Sequence, residues 1–201
     1  STGAFNALLK TVEEPPEQLR RNAKNVGIDI AAHESKGLVK IIYTHPRNIE
    51  ASRHMNEIVA ELDGVSRVVI DSITDYEPAM NENMLRALLS TLTSEFRSRG
   101  ITTILTSEAP ELIGAGKITN TGTSFIVDAV VMLRFVEIGS EMKKALNVLK
   151  VRGSRHVREI REYSISERGI TIGVKFEGVV GLMSGTPRKA IADEVEGFFK
   201  K

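Results

Sequence analysis

Apolar positions fall into short continuous runs and longer periodic ones, and the two kinds alternate over the first half of the chain. Val39–Tyr43 (VKIIY), Arg67–Asp71 (RVVID) and Thr102–Thr106 (TTILT) are short apolar runs that predict buried strands. Between them, residues 49–62 set Ile49, Met55, Ile58, Val59 and Leu62 near helical spacing. Residues 83–97 set Met84, Leu85, Leu88, Leu89, Leu92 and Phe96 on one side of a second helix. At the N-terminus, residues 5–10 (FNALLK) favour a short helix by composition, ended by Pro15 and Pro16, which cannot continue it. Glu17–Asn25 reads as another helix, with Gly27 as its stop.

Strand and helix alternating in this way predict a parallel sheet with helices on its faces, a three-layer α/β domain. After Gly122 the pattern changes. Residues 125–136, 144–151, 159–164 and 170–172 are β-rich runs separated by turn residues, which predict antiparallel hairpins added to the sheet. Residues 190–201 (AIADEVEGFFKK) read as a terminal amphipathic helix, and no internal repeat is visible.

Composition narrows the class of protein. The chain has 201 residues, 41% of them hydrophobic and 26% charged, enough for one soluble domain with a core of its own. Lys plus Arg number 27 against 26 Asp plus Glu, so net charge argues for no polyanionic partner and only local basic clusters could. With no Cys, disulfides and thiolate metal sites are excluded, which fits a reducing cytoplasm. No apolar run is long enough to span a bilayer, the first residues lack the order of a signal peptide, and the four His have no metal-ligand spacing.

Three places carry candidate chemistry. RVVID delivers Asp71 at the C-terminal end of a strand, which suits a carboxylate holding the water shell of Mg²⁺ beside nucleotide phosphates; the plainer account is an Asp that caps the next turn. Glu13 and Glu14, before the Pro-Pro turn, could supply a general base for water, or could form a solvated acidic turn. Lys150 and Arg152 alternate with Val151 before Gly153, so on a strand they share a face and can present charge to a phosphate; equally, they could be a solvated strand edge. The basic stretch Arg152, Arg155, His156, Arg158 and Arg161 could contact nucleic-acid phosphates, but Glu159 and Glu162 interrupt it and no stacking aromatic precedes Tyr163.

Taken together, these segments resemble the KaiC family of RecA-like ATPases. EEPPEQLRRNAKNVGID is similar to that family's paired-Glu segment and RVVIDSITDY to its Walker B strand. VDAVVMLRFVEIGSEMKKALNVLKVRGSRHVREIREYSISERGITI resembles its C-terminal hairpins with the K-x-R-G motif, and FEGVVGLMSGTPRK its closing Gly-Thr-Pro segment. The resemblance covers roughly residues 13–190. It implies a RecA-like sheet, a ring of copies of the chain, and ATP with Mg²⁺ bound between subunits. By position it makes Glu13 and Glu14 the catalytic pair and Asp71 the Walker B acid. Lys150 and Arg152 become the residues that reach a neighbour's nucleotide. Ser124 falls at one of the family's two phosphorylation positions, while Phe125 occupies the other.

The chain departs from the family in one respect. Its 201 residues contain no G-x-x-x-x-G-K-[ST], and GAGK at 114–117 lacks the spacing of that phosphate loop. The opening STGAFNALLKTVEEPPE instead resembles a helix and turn in the clamp-loader ATPase subunit of bacterial DNA polymerase III, which suggests a chimera joined at the Glu-Glu-Pro element. The expected organisation is one domain over 1–201, clamp-loader-like over 1–16, KaiC-like over 17–190, with a tail over 191–201. The phosphate-loop strand is expected to be missing from the sheet. Direct pairing of residues 103–105 with 127–131 would close the gap, with the 5–10 helix covering the exposed face. Three functions follow for comparison: an ATPase module with little turnover of its own, a non-catalytic fold, or a DNA-binding recombinase relative.

Overall fold

The computed structural model describes residues 6–108, 126–182 and 188–189. They fall into two compact units, one made of 6–108 with 126 and 167–169, the other of 127–166, 170–182 and 188–189.

In the first unit, strands β1 (Asn6–Thr11), β2 (Val39–Tyr43), β3 (Val65–Asp71) and β4 (Thr102–Leu105) form one parallel sheet in the order β2-β1-β3-β4. The helices α1 (Pro16–Asn25), α2 (Ile30–Ser35), α3 (Ala51–Val59) and α4 (Glu82–Ser98) connect them. The sheet and its flanking helices therefore match the α/β expectation, and β2, β3, β4, α1, α3 and α4 all lie where the apolar pattern predicts them.

One element is of the wrong kind. FNALLK does not form a helix over the sheet; Asn6–Thr11 is a strand, and an interior one, paired in parallel with β2 on one side and β3 on the other. Helix propensity is a weak prior, and an interior strand of a parallel sheet is covered on both faces, so its apolar residues run on without the alternation that marks a half-exposed strand. Both neighbours supply ladder hydrogen bonds, and that tertiary pairing overrides the few tenths of a kcal/mol by which Ala, Leu and Lys favour helix. The direct closure of β4 onto residues 127–131 is likewise not found. β4 ends the first sheet, while β5 (Ala129–Ile138) ends a separate antiparallel sheet.

The core of the first unit joins one face of the sheet to two helices. Leu8 lies opposite Val68 in the register, and all three of Leu8, Val68 and Ile70 are buried with Ile58 of α3 and Leu85, Leu89, Leu92 and Phe96 of α4. Helix α4 begins on Asn81, whose side-chain oxygen accepts from the Met84 N–H at 3.0 Å. Asn81→Ala is expected to cost about 1 kcal/mol of stability, read as a lower urea midpoint with unchanged slope. Helix α2, which the apolar pattern does not reveal, is a six-residue helix capped by Asp29, which accepts from Ala32 N–H at 3.0 Å. A two-pronged ion pair ties it to α1: Arg20 Nε meets Glu34 Oε2 at 2.7 Å and its Nη2 meets Oε1 at 3.0 Å. The guanidinium hydrogen bonds hold the Glu34 carboxyl below its ordinary range.

The second unit is the antiparallel sheet β5-β6-β7-β8, with β6 at Glu141–Val151, β7 at Arg161–Ser166 and β8 at Gly169–Lys175. Val136, Ala145 and Leu182 form its small buried cluster. These are the expected hairpins. A two-residue ladder pairs Val179–Val180 with Arg188–Lys189. Ser124, GAGK at 114–117 and the helix expected over 190–201 lie outside the described residues.

Candidate active site

Four strand ends lie side by side at the carboxyl edge of the first sheet, and backbone hydrogen bonds fix their heights. Thr44 N–H donates to Thr11 O at 3.2 Å, Val12 N–H to Asp71 O at 3.2 Å, Thr106 N–H to Ile70 O at 3.0 Å and Ile73 N–H to Thr106 O at 2.9 Å. In open α/β sheets, this edge is where ligands bind.

A cavity of about 540 Å³ opens there, lined by Glu13, Glu14, Gln18, Asp71, Ser72, Asp75, Thr106, Ser107 and Glu108. The structure thus brings together the acid that ends β3 and the paired acids that follow β1. The two Glu differ in how they are held. The Thr11 hydroxyl donates to the Glu14 carbonyl at 3.0 Å, and Asn22 Nδ2 on α1 donates to Glu14 Oε1. The Glu13 carboxylate is exposed and, among the described residues, takes no hydrogen bond or ion pair. Asp71 accepts from the Thr106 hydroxyl through Oδ1, and the Asp71–Ser72 peptide bond is cis. Asp75 is occupied locally: its Oδ2 accepts from the Ser72 N–H at 3.1 Å and the Ser72 hydroxyl at 3.0 Å, a capping box on the short 3₁₀ turn Ile73–Tyr76.

The apolar pattern points to Asp71 but not to Thr106, Ser107 or Glu108. Their signal is the same one: polar residues directly after an apolar strand, TTIL followed by T-S-E, reach the carboxyl edge as surely as an acid does.

Every charged group lining the cavity is a carboxylate, and all the donor atoms are hard oxygens. Among the described residues, no three His, Asp or Glu side chains converge closely enough to hold a bare metal ion. That donor set fits Mg²⁺, which binds through one or two carboxylates and keeps most of its water.

Lys150 and Arg152 belong to the second unit. Lys150, near the end of β6, donates to Val127 O at 3.0 Å. Arg152 stands just past the strand, its side chain 3.1 Å from Asp128 Oδ1 and its N–H donating to Asp128 O at 2.7 Å. Gly153 turns the chain at φ +76°, as its place after the cations predicts. In the basic stretch that follows, Arg161 pairs with Glu159 at 2.6 Å.

A family model described as ATPase: KaiC matches residues 5–177, most of the chain and both of its units. The chain belongs to the KaiC ATPase family. The match begins at residue 5, so it takes in all of β1, the strand leading to the paired acids. The circadian clock protein KaiC3 of Synechocystis sp. (strain ATCC 27184 / PCC 6803 / Kazusa) is 36% identical over 94% of this chain and 38% of its own length. The circadian clock oscillator protein KaiC of Acaryochloris marina is 38% identical, again over 94% of the chain, and that of Thermostichus vulcanus 37%. The chain spans a little over a third of the length of these curated relatives. Among the described residues, no helix is long and apolar enough to cross a membrane.

Proposed function

We propose that this chain is the acid-bearing part of a KaiC-type ATP hydrolysis site, completed between subunits of a homo-oligomeric ring. The observation that carries the reading is the convergence of Glu13, Glu14 and Asp71 in one cavity at the carboxyl edge of a parallel sheet. The family match across 5–177 supports treating both units as one domain.

In this reading Asp71 holds the water shell of Mg²⁺, with the Thr106 hydroxyl fixing one of its oxygens. When bound, Mg²⁺ supplies the positive charge that offsets the phosphates. Glu13, whose carboxylate is uncommitted, takes the proton of the attacking water. Glu14, anchored by Asn22 and Thr11, sets the orientation of the pair. Lys150 and Arg152 stabilise phosphate charge on a neighbouring subunit, leaving their present contacts with residues 127–128 to do so. Ser124 is a candidate phosphorylation site on resemblance alone.

The test uses Mn²⁺ as a paramagnetic stand-in for Mg²⁺. In the presence of ATP, amide signals of residues 13–14, 71–72 and 106–107 are expected to broaden first. Asp71→Asn is expected to weaken Mn²⁺ binding roughly tenfold, about 1.4 kcal/mol. Broadening centred elsewhere, or unchanged by Asp71→Asn, would remove the assignment.

A further inference from the structure

Beneath the site, the apolar core contains a line of polar side chains that the hydrolysis reading does not use. Lys10 on β1 lies opposite Ile70 in the register and on the same face as Leu8, with 0% of its surface exposed. Its ammonium donates to Thr44 Oγ1, just past β2, and the Thr44 hydroxyl is 3.5 Å from Glu57 Oε2, which is exposed on α3. One turn earlier on α3 sits His54, 1% exposed, its Nε2 2.6 Å from the hydroxyl of Tyr76, which is also 1% exposed. The two rings meet edge to face with centroids 4.9 Å apart. His54 Nδ1 is buried and has no hydrogen-bond partner.

The surroundings offer a second proton on this imidazole nothing. From β1 comes another cation, Lys10. From α3 comes Glu57, already turned toward Lys10 through Thr44, and from the 3₁₀ turn come Tyr76, neutral at ordinary pH, and Asp75, capping Ser72. The buried side of α4 presents Leu85, Leu88, Leu89, Leu92, Thr93 and Phe96, none titratable. An imidazolium here would leave a buried N–H without an acceptor and face a like charge in a medium of low dielectric constant. Burial first, and the Lys10 charge second, accordingly push His54 down to about 4.

We propose that the Lys10–His54–Tyr76 cluster is an acid-sensitive latch: protonation of His54 releases α3 from the sheet and loosens the strand end that carries Glu13 and Glu14. The direction follows from linkage. An imidazole held at about 4 when folded and 6.5 when free binds its proton more tightly in the opened chain, so its contribution is fully present above pH 6.5 and is lost as pH falls toward 4.

The experiment compares wild type with His54→Gln, which keeps a hydrogen-bonding group toward Tyr76 but cannot charge. Urea unfolding of both from pH 7 to pH 4 cancels the carboxylates common to the two. The wild-type folding constant is expected to fall about 100-fold further than that of the variant, short of the full span between the two pKa values because the folded imidazole is itself half-protonated at pH 4. Parallel pH profiles would overturn the proposal. Hydrogen exchange at pH 5 is expected to show α3 amides opening ahead of those of β3, and opening of both in step would overturn the local release. Where His54→Gln does not fold, ring NMR of wild type decides: half-protonation near pH 4 supports the latch, and near pH 6.5 overturns it.

Discussion

Lys10→Met is expected to raise the stability of the chain by about 2 kcal/mol at pH 7, and the gain is expected to vanish at high pH. Lys10 stands on the apolar face of the sheet beside Val68, Ile70 and Ile58, each 0% exposed, where the register calls for a third aliphatic residue. Burial pushes its ammonium down from 10.5 to about 8, against which the charge of Glu57 gives partial relief. A group whose charged form is penalised on folding costs stability wherever it is charged. The cost is absent above about pH 10.5, grows as pH falls to 8, and is constant below that. Two and a half pH units amount to about 3 kcal/mol. Methionine keeps an unbranched stem of similar reach and carries no charge, but gives up the bond to Thr44, worth about 1 kcal/mol. Urea denaturation of both proteins at pH 7 and pH 10.5 measures the difference. A destabilised variant at pH 7 would mean that the ammonium is favourably held rather than merely tolerated. The same substitution removes the cation facing His54, so the His54 midpoint is expected to rise from about 4.

That Lys10 lies in a core, and that it faces His54, could not be read from the residues. FNALLK has the composition of a helix, and only the parallel partners on both sides make Asn6–Thr11 a strand. The helical composition of β1 and the invisibility of the cluster therefore have one cause, since a residue's face is known only once its period is known. His54 is 44 residues away and comes under the charge of Lys10 through the packing of α3 on the sheet, a tertiary event with no local signal. The acids of the cavity were legible for the opposite reason. Asp71 ends an apolar run, and the end of a parallel strand has one destination, the carboxyl edge. Glu13 and Glu14 follow a strand whose composition favours helix, yet their Pro-Pro stop marks the same boundary in either case. The hairpins after residue 125 were legible because their strands alternate and are separated by turn residues, but the separation of β4 and β5 into two sheets depends on pairing that no run of residues encodes.

ATP turnover by these 201 residues alone is expected to be slower by roughly 10² to 10³ or more than for a site holding a phosphate loop. Phosphoryl transfer leaves the protein little to do beyond positioning the phosphates and offsetting their charge, and both tasks fall to backbone N–H groups and cations. The cavity supplies neither in quantity. Its charged lining is Glu13, Glu14, Asp71, Asp75 and Glu108, with no Lys or Arg among them, so a triphosphate entering it meets charge of its own sign. The sequence contains no G-x-x-x-x-G-K-[ST] whose lysine could reverse that balance. Lys150 and Arg152, the cations assigned to a neighbour's nucleotide, are engaged with Val127 and Asp128 and would have to exchange those contacts for phosphate. The groups to which the proposal gives the metal and the water are, by contrast, together in the cavity: a carboxylate fixed by Thr106, one Glu anchored by Asn22 and a second uncommitted. Steady-state phosphate release from Mg·ATP measures the outcome. Turnover at a rate normal for an intact ATPase, abolished by Asp71→Asn, would show that the acidic edge binds triphosphate without the loop. Absent turnover together with Asp71-dependent Mn²⁺ binding is the pattern that a metal-and-water half-site predicts, because the carboxylates that hold a hydrated cation are the same ones that repel an unaccompanied phosphate.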